Sequence, residues 1–416
     1  MKSIVYNTKV KREFVSYFYT KMGFGSVSYT NKSIWRKRGK KLQLEELRVK
    51  IDEIDQEIVR LIEARMEVCE QVGRYKIENK KRVFDKIREQ EKLEKVAALA
   101  QQTQNKEVVK EVFEQLMTIS RNVQHHLLME NGLAEQFPFQ MLEQLADPQC
   151  KVVFQGVEGA YSQIALFQYF GTNVETIHVE QFADAIQAVQ NQEADYAVLP
   201  IENSSAGVVT QIYHLLVDYE TYIVGEVVVS IEHTIASVAG ATVAGVEQVY
   251  SHTQALMQCC KYLEAHPQME QISVANTAIA AQKVQQEQNP KKAAICSTVA
   301  AEVYGLQVLE EKINHEEKNA TRFIVIGREK QFLRSAKKIS IYFEVLHESG
   351  SLYKVLSHLI YNKLNMTKIE SMPVEGKVWE YRFFVDFEGN LNDPTVTNAL
   401  RGIQEEAVRL CILGNY

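Results

Sequence analysis

The feature that most constrains this chain is a long apolar seam. Leu44, Leu47, Ile51, Ile54, Ile58 and Leu61, then Val68 and Val72, recur at alternating spacings of three and four, with no proline between Leu42 and Asn79. This heptad pattern lays one apolar stripe along a single helix. A helix over that span is roughly 55 Å long, so its stripe demands a partner helix or a second subunit. Two further helical patterns follow, over 85–102 and 106–128, and no strand signal interrupts them. Residues 42–128 are therefore expected to form an all-α module.

The seam carries misplaced charges. Arg65 stands where the pattern calls for an apolar residue, Lys76 follows on nearly the same face, and Arg48 lies one turn after Leu44. A cation on an apolar stripe is costly unless paired, and three together point to a dianionic ligand held between helices. On the second helix Asp85, Arg88 and Glu89 share a face at i, i+3 and i+4; on the third Ser120 and Gln124 do so at i and i+4. Lys86 and Arg121 beside them read as solvated surface.

Residues 129–150 read as a linker with Pro138 and Pro148. Beyond it the texture changes. Short apolar runs at 151–154, 196–199, 222–225 and 293–296 alternate with helical stretches such as 162–170 and 182–190. That alternation predicts an α/β domain with a largely parallel sheet over 151–328. After a charged bridge, residues 337–416 read βαββαβ, an α+β ferredoxin-like order.

Composition narrows the function classes. No apolar stretch approaches the ~20 residues of a membrane span, and a formal charge of −6 argues against generic nucleic-acid binding. The 6 cysteines form no CxxC pair, so neither a zinc site nor a disulfide framework is indicated, and a reducing cytoplasm is expected. Residues 1–41 are basic, with Lys9, Lys11, Arg12, Arg36 and Lys37 among their cations and Glu13 as the acid. They lack an apolar core for secretion and read as a disordered extension or the product of an upstream start codon, with an organelle transit peptide as the alternative.

Polar clusters punctuate the α/β domain. Gly156-Val157-Glu158-Gly159 follows the first apolar run and opens a helix, where glycines allow a tight turn and the helix terminus attracts an anion. It is not GxGxxG, so no dinucleotide fingerprint exists there. Glu202-Asn203-Ser204-Ser205 also ends an apolar run, which suits a ligand crevice. Ser251-His252-Thr253-Gln254, Asn276-Thr277 and Asn319-Ala320-Thr321-Arg322-Phe323 are further clusters. His233 and His315 read as surface or core.

Three resemblances gather these motifs. Residues 44–124 resemble the all-helical type of chorismate mutase through Arg48, Arg65 in EARMEV, Lys76 in VGRYK, Asp85, Arg88 and Glu89 in VFDKIREQE, and Ser120 and Gln124. The resemblance implies an intertwined dimer in which Arg48 reaches the partner's site. Arg48, Arg65 and Arg88 would clamp the substrate carboxylates, since a guanidinium binds them in bidentate fashion. Lys76 and Gln124 would donate to the breaking ether oxygen, and Glu89 would accept from the substrate hydroxyl. Asp85 and Ser120 would also bind substrate.

Residues 151–327 resemble prephenate dehydratase through DYAVLPIENSSAG, YSHTQALMQC, YGLQVL and NATRFIVIG. This implies two lobes, like a periplasmic binding protein, with the site between them. Thr321 would act at the leaving hydroxyl, passing a proton through a hydrogen-bonded chain. Glu202, Asn203, Ser204, His252, Gln254, Thr277 and Arg322 would bind substrate, with Arg322 as the carboxylate clamp. Residues 337–416 resemble an ACT domain through ESGSLYKVL and KIESMP, which implies phenylalanine binding at Gly350, Ser351, Leu352, Glu370 and Ser371. Ser351 and Met372 depart from that pattern, which usually has Ala and Arg. Taken together the resemblances imply a bifunctional enzyme that needs no metal or cofactor, at least dimeric, and inhibited by phenylalanine. A non-catalytic amino-acid sensor is the rival reading; it expects a broken catalytic set, whereas Arg65, Lys76, Glu89 and Thr321 are all present. A mutase fused to a prephenate dehydrogenase would need the missing nicotinamide fingerprint.

Overall fold

A computed structural model describes residues 44–133, 137–145, 149–316, 318–377 and 379–416, apart from the side chain of Lys86. The basic segment 1–41 lies outside them. Contacts divide the chain into two units, Met1–Val68 and Cys69–Tyr416. Helix α1 spans Leu44–Glu78 without a break, with Glu45 and Glu46 in its first turn and Lys76 in its last, the polarity a helix dipole favours. In the first unit the seam residues from Leu44 to Leu61 are between 42% and 61% exposed on the single chain, so their stripe is not covered by this copy.

In the second unit α2 (Lys86–Ala97) packs on α3 (Asn105–Glu130). Asp85 starts α2 as its N-cap, accepting from the Arg88 N–H at 3.1 Å. Residues 129–150 are more than a linker. Strand β1 (Gln140–Leu142) pairs in parallel with β13 (Gln331–Leu333), inside the charged bridge, and Phe137 and Phe139 pack on the core of the C-terminal module.

The α/β domain has two lobes. The first holds β2 (Lys151–Gln155), β3 (Glu175–Val179), β4 (Tyr196–Asn203), β6 (Tyr222–Ser230) and β12 (Ala320–Gly327), with helices α4 (Tyr161–Phe170), α5 (Phe182–Gln190) and α6 (Thr210–Asp218). A short β5 (Gly207–Val208) folds back on β4. The second lobe holds β7 (Thr234–Ser237), β8 (Gln248–Ser251), β9 (Glu270–Ser273), β10 (Lys292–Cys296) and β11 (Gln307–Glu310), in the order β11-β7-β10-β8-β9. Its helices are α7 (Thr253–Gln258), α8 (Cys260–Ala265), α9 (Thr277–Glu287) and α10 (Thr298–Val303). The chain leaves the first lobe after β6 and returns at β12. That return strand runs antiparallel to both β4 and β6, and β7 runs antiparallel to β10 and β11, so both sheets are mixed rather than largely parallel. Antiparallel strands need no covering crossover helix, which is why periodicity alone gave no sign of them.

The C-terminal module follows the expected βαββαβ order: β14 (Lys338–Glu344), α11 (Ser351–Tyr361), β15 (Met366–Pro373), β16 (Tyr381–Glu388), α12 (Pro394–Glu406) and β17 (Arg409–Asn415). Its strands lie in the order β15-β16-β14-β17, and β17 meets β6 in parallel at Gly414↔Ile223, so module and first lobe share one sheet. They also share a core. Tyr342, Met372, Phe384 and Leu413 pack with Leu199, Ile212, Ile324 and Ile326. Met372 is thus a buried residue of the seam between modules, its flexible side chain packed in their shared core.

Candidate functional site

Thr321 sits on β12, whose side chains alternate between two faces. Thr321 and Phe323 line a cleft of about 390 Å³ bounded by both lobes. Asn203, His252, Gln254 and Thr277 line it too, so five of the eight dehydratase residues expected from the sequence come together there. Glu202, Ser204 and Arg322 do not. Arg322 points to the opposite face of β12 and pairs with Asp386 of the C-terminal module at 3.0 Å, Glu226 at 3.3 Å and Glu202 at 3.4 Å. Lys368 completes this cluster against Glu202 at 2.7 Å. Arg322 and Glu202 are therefore inter-module ties rather than a substrate clamp. Ser204 clasps the returning chain: its hydroxyl accepts from the Ala320 N–H at 3.0 Å and donates to the Lys318 carbonyl at 3.3 Å.

The cleft contains a directed hydrogen-bond chain. Asn203 Oδ1 accepts from the backbone N–H groups of Ser205 (3.0 Å) and Ala206 (2.9 Å), which fixes the orientation of its amide. Asn203 Nδ2 therefore donates to Thr321 Oγ1 at 2.9 Å. The Ser205 hydroxyl donates to Asn203 Oδ1 at 2.8 Å and accepts from Gln258 Nε2 at 2.8 Å. Gln258 Oε1 is left as the acceptor for His233 Nε2 at 2.9 Å. Burial pushes the His233 imidazole below its ordinary value, partly offset by that hydrogen bond, and burial lowers His252 as well.

Sequence reasoning missed Gln258, Ser205 and His233. The two polar residues lie inside quoted motifs but one helical turn or one residue beyond those singled out. His233 stands alone in sequence and meets Gln258 only through the fold. No lysine or arginine lines the cleft among the described residues. Instead the N-termini of α4 (Tyr161, Ser162) and α9 (Asn276, Thr277) face it, one from each lobe. The loop before α4 brings the lobes together: Gly159 has φ +81, and a Cβ there would lie 2.8 Å from Ala300 Cα of α10.

Of the residues expected in the mutase, Arg48 and Arg65 lie on the part of α1 in the first unit. Arg48 pairs with Glu45 at 2.8 Å, and Arg65 is half-buried. In the second unit Gly73 lets α1 approach α3 closely, since a Cβ there would meet Leu127 at 2.9 Å and Gln124 at 3.1 Å. Gln124 is buried with no hydrogen-bond partner for Oε1. Ser120 is buried, its hydroxyl donating to the Leu116 carbonyl. Lys76 donates to the Val83 carbonyl at 2.6 Å; burial and then Arg88 hold its ammonium below the usual lysine range. Burial raises the Glu89 carboxyl above its usual range against the pull of Arg121 and Lys76, and Glu406 and Glu405 raise it further. Asp85 is engaged as a helix cap. Arg121 is no surface residue: it is 4% exposed and ion-paired to Glu89.

In the C-terminal module Gly350 is left-handed (φ +82) at the N-cap of α11, with Ser351 and Leu352 in the first turn. Glu370 and Ser371 lie on β15, the edge strand of the shared sheet.

Comparisons with known proteins supply the family. The family model for prephenate dehydratase matches residues 152–331, and that for chorismate mutase type II matches residues 47–125. The bifunctional chorismate mutase/prephenate dehydratase of Aquifex aeolicus is 33% identical over 90% of this chain and 98% of its own length. Among solved structures, the prephenate dehydratase of Arthrobacter aurescens in complex with L-Phe matches with a TM-score of 0.60 and 27% identity, covering 64% of this chain and 89% of that one. A structure described as a novel type of quorum-quenching acylase also matches with a TM-score of 0.60, at 31% identity over 64% of this chain and 97% of that one. With the Aquifex aeolicus relative spanned almost end to end, the chain belongs to the family of bifunctional chorismate mutase/prephenate dehydratases.

Proposed function

We propose that Thr321 is the acid of the dehydratase step and that the Asn203–Ser205–Gln258–His233 chain aims its hydroxyl. The chain rearranges chorismate to prephenate and converts prephenate to phenylpyruvate, water and carbon dioxide. The observation that carries the reading is the direction of the chain. Because Thr321 Oγ1 accepts from Asn203, its own hydrogen remains for the cleft. As the ring carboxylate leaves, its bonding electrons enter the ring and expel hydroxide, which takes the threonine proton. Side-chain amides such as Asn203 and Gln258 do not readily hand protons on, so the chain orients rather than conducts. The threonine oxygen regains its proton from solvent. The N-termini of α4 and α9 supply the N–H groups that hold the substrate carboxylates, and Phe182 and Phe323 supply a dry wall against which carboxylate is readily lost.

The mutase residues follow from the resemblance: Arg48, Arg65 and Arg88 clamp carboxylates, Lys76 and Gln124 donate to the ether oxygen, and Glu89 accepts from the hydroxyl. The uncovered stripe on α1 supports a homodimer. The C-terminal module is an ACT domain that binds L-phenylalanine at Gly350 and inhibits the dehydratase. Its shared sheet with the first lobe, and the Arg322–Asp386 contact next to Thr321, supply a mechanical route.

The test is Thr321→Val, which keeps shape and removes the hydroxyl. Given chorismate, the variant is expected to accumulate prephenate while phenylpyruvate formation falls at least about a hundredfold, the scale of one general acid. Near-normal phenylpyruvate formation would move the acid role to His252 or a water.

A further inference from the structure

Helix α12 ends in a local conflict. Glu405 and Glu406 occupy its last turn, where the dipole disfavours negative charge, and that turn holds no basic residue. Partners also come from far away in sequence. Arg121 of α3 donates to Glu406 at 2.9 Å and lies 3.7 Å from Glu405. The same guanidinium donates to Glu89 and to Thr118 and stacks 4.9 Å from the Phe84 ring centroid. His125, one turn further along α3, meets Glu405 at 3.1 Å. Arg121 thus joins the mutase glutamate to the C-terminal module through a fork that is almost wholly buried.

We propose that Arg121 is a positioning residue of the mutase, held against Glu89 by Glu405 and Glu406, so that docking of the last helix governs the rearrangement. The proposal rests on Glu89 contacting the chorismate hydroxyl. Crowding three half-buried carboxylates around one buried guanidinium is tolerable only while they are paired, so loss of the α12 contacts redirects Arg121 and with it Glu89. A second observation joins the two modules. Glu89, Arg121 and Glu406 line a cavity of about 490 Å³ whose far wall is Gly350, Tyr353 and Lys354 of the C-terminal module.

The charges around Glu89 set the sign of the test. Lys76 faces it from α1, Arg121 from α3, and Glu405 and Glu406 from α12. Asp85 and Arg88 flank it on its own side. Lys110, Glu107, Glu111 and Glu114 of α3 and Lys354 of α11 line the same cavity, and His125 and His358 lie beside Arg121. Removing the α12 carboxylates makes Glu89 easier to ionise, whereas removing Arg121 makes it harder.

The experiment uses the full chain, with mutase kcat and KM measured across pH and dehydratase turnover of supplied prephenate as the folding control. Glu405→Gln with Glu406→Gln is expected to lower mutase kcat and move the acid limb of its profile to lower pH. Arg121→Met is expected to cost about tenfold in kcat/KM, the scale of one buried charge-assisted hydrogen bond, and to move the limb to higher pH. Opposite limb shifts with dehydratase intact support the proposal, and a merely structural role would not produce them. If Arg121→Met does not fold, the glutamine pair alone decides through its limb. Glu89→Leu, which removes both accepting oxygens, separates the two readings. If it retains mutase activity, Glu89 is not a substrate contact and the proposal falls with it. If it abolishes activity while the glutamine pair leaves kcat and the limb unchanged, the coupling alone is wrong.

Discussion

Thr321 and Arg322 are neighbours that face opposite ways. Strand alternation sends the hydroxyl into the cleft and the guanidinium to Asp386, so one NATRF motif lines the cleft with one residue and links modules with the next. Gly350 makes a different single-residue demand. Its φ of +82 is left-handed, and the place where a Cβ would sit is open space. Gly350→Val therefore strains the turn by about 1–2 kcal/mol and fills the open space proposed to receive the amino acid. The expected outcome is an enzyme with normal dehydratase turnover that phenylalanine no longer inhibits; retained inhibition would place the effector elsewhere. At this scale, the residues that a motif gathers at one cleft were legible in the sequence, including Asn203, His252, Gln254 and Thr277. Arg322 and Arg121 were not, because a guanidinium reads alike whether it clamps a substrate or another module's carboxylate. Only the position of Asp386, Glu405 and Glu406 in space decides between them.

At the scale of elements, α1 states its own need for a partner. Its seam residues would each contribute about 1.5–3 kcal/mol on burial, yet the single chain leaves them in water. Ile51→Asp with Ile58→Asp places two charges on that stripe. The expected result is dissociation in sedimentation velocity and loss of mutase activity, with dehydratase activity on prephenate largely kept. An unchanged sedimentation coefficient would mean the stripe is not the contact. The long helix and the βαββαβ order could be read directly, since each rests on local periodicity. The mixed sheets and the β1–β13 pair could not, because direction and pairing depend on where a strand returns. Strand β12 re-enters the first lobe after the entire second lobe has been built, and nothing local to 320–327 says which way it will run.

Across the whole molecule, the C-terminal module is tied on two sides, by a shared sheet and core to the dehydratase lobe and by α12 to α3. His358 lies at the second contact, on α11. It is 1% exposed, neither ring nitrogen has a hydrogen-bond partner, and burial, helped by Arg121 and His125, pushes it from 6.5 to about 3. The folded chain therefore keeps this ring neutral where the unfolded chain would protonate it. Its contribution is complete above the unfolded value and is lost as pH falls from about 6.5 toward 3. In that window the loss approaches about 1.4 kcal/mol per pH unit, or about 2 kcal/mol between pH 7 and 5. His358→Leu removes the titration and keeps an apolar side chain against α12. Thermal unfolding followed at both pH values should show the parent losing more stability on acidification than the variant, and the difference between the two cancels every other titrating group they share. Equal losses would mean that the ring is hydrated in solution, and that the junction between the mutase helices and the C-terminal module is looser than its buried ion pairs indicate.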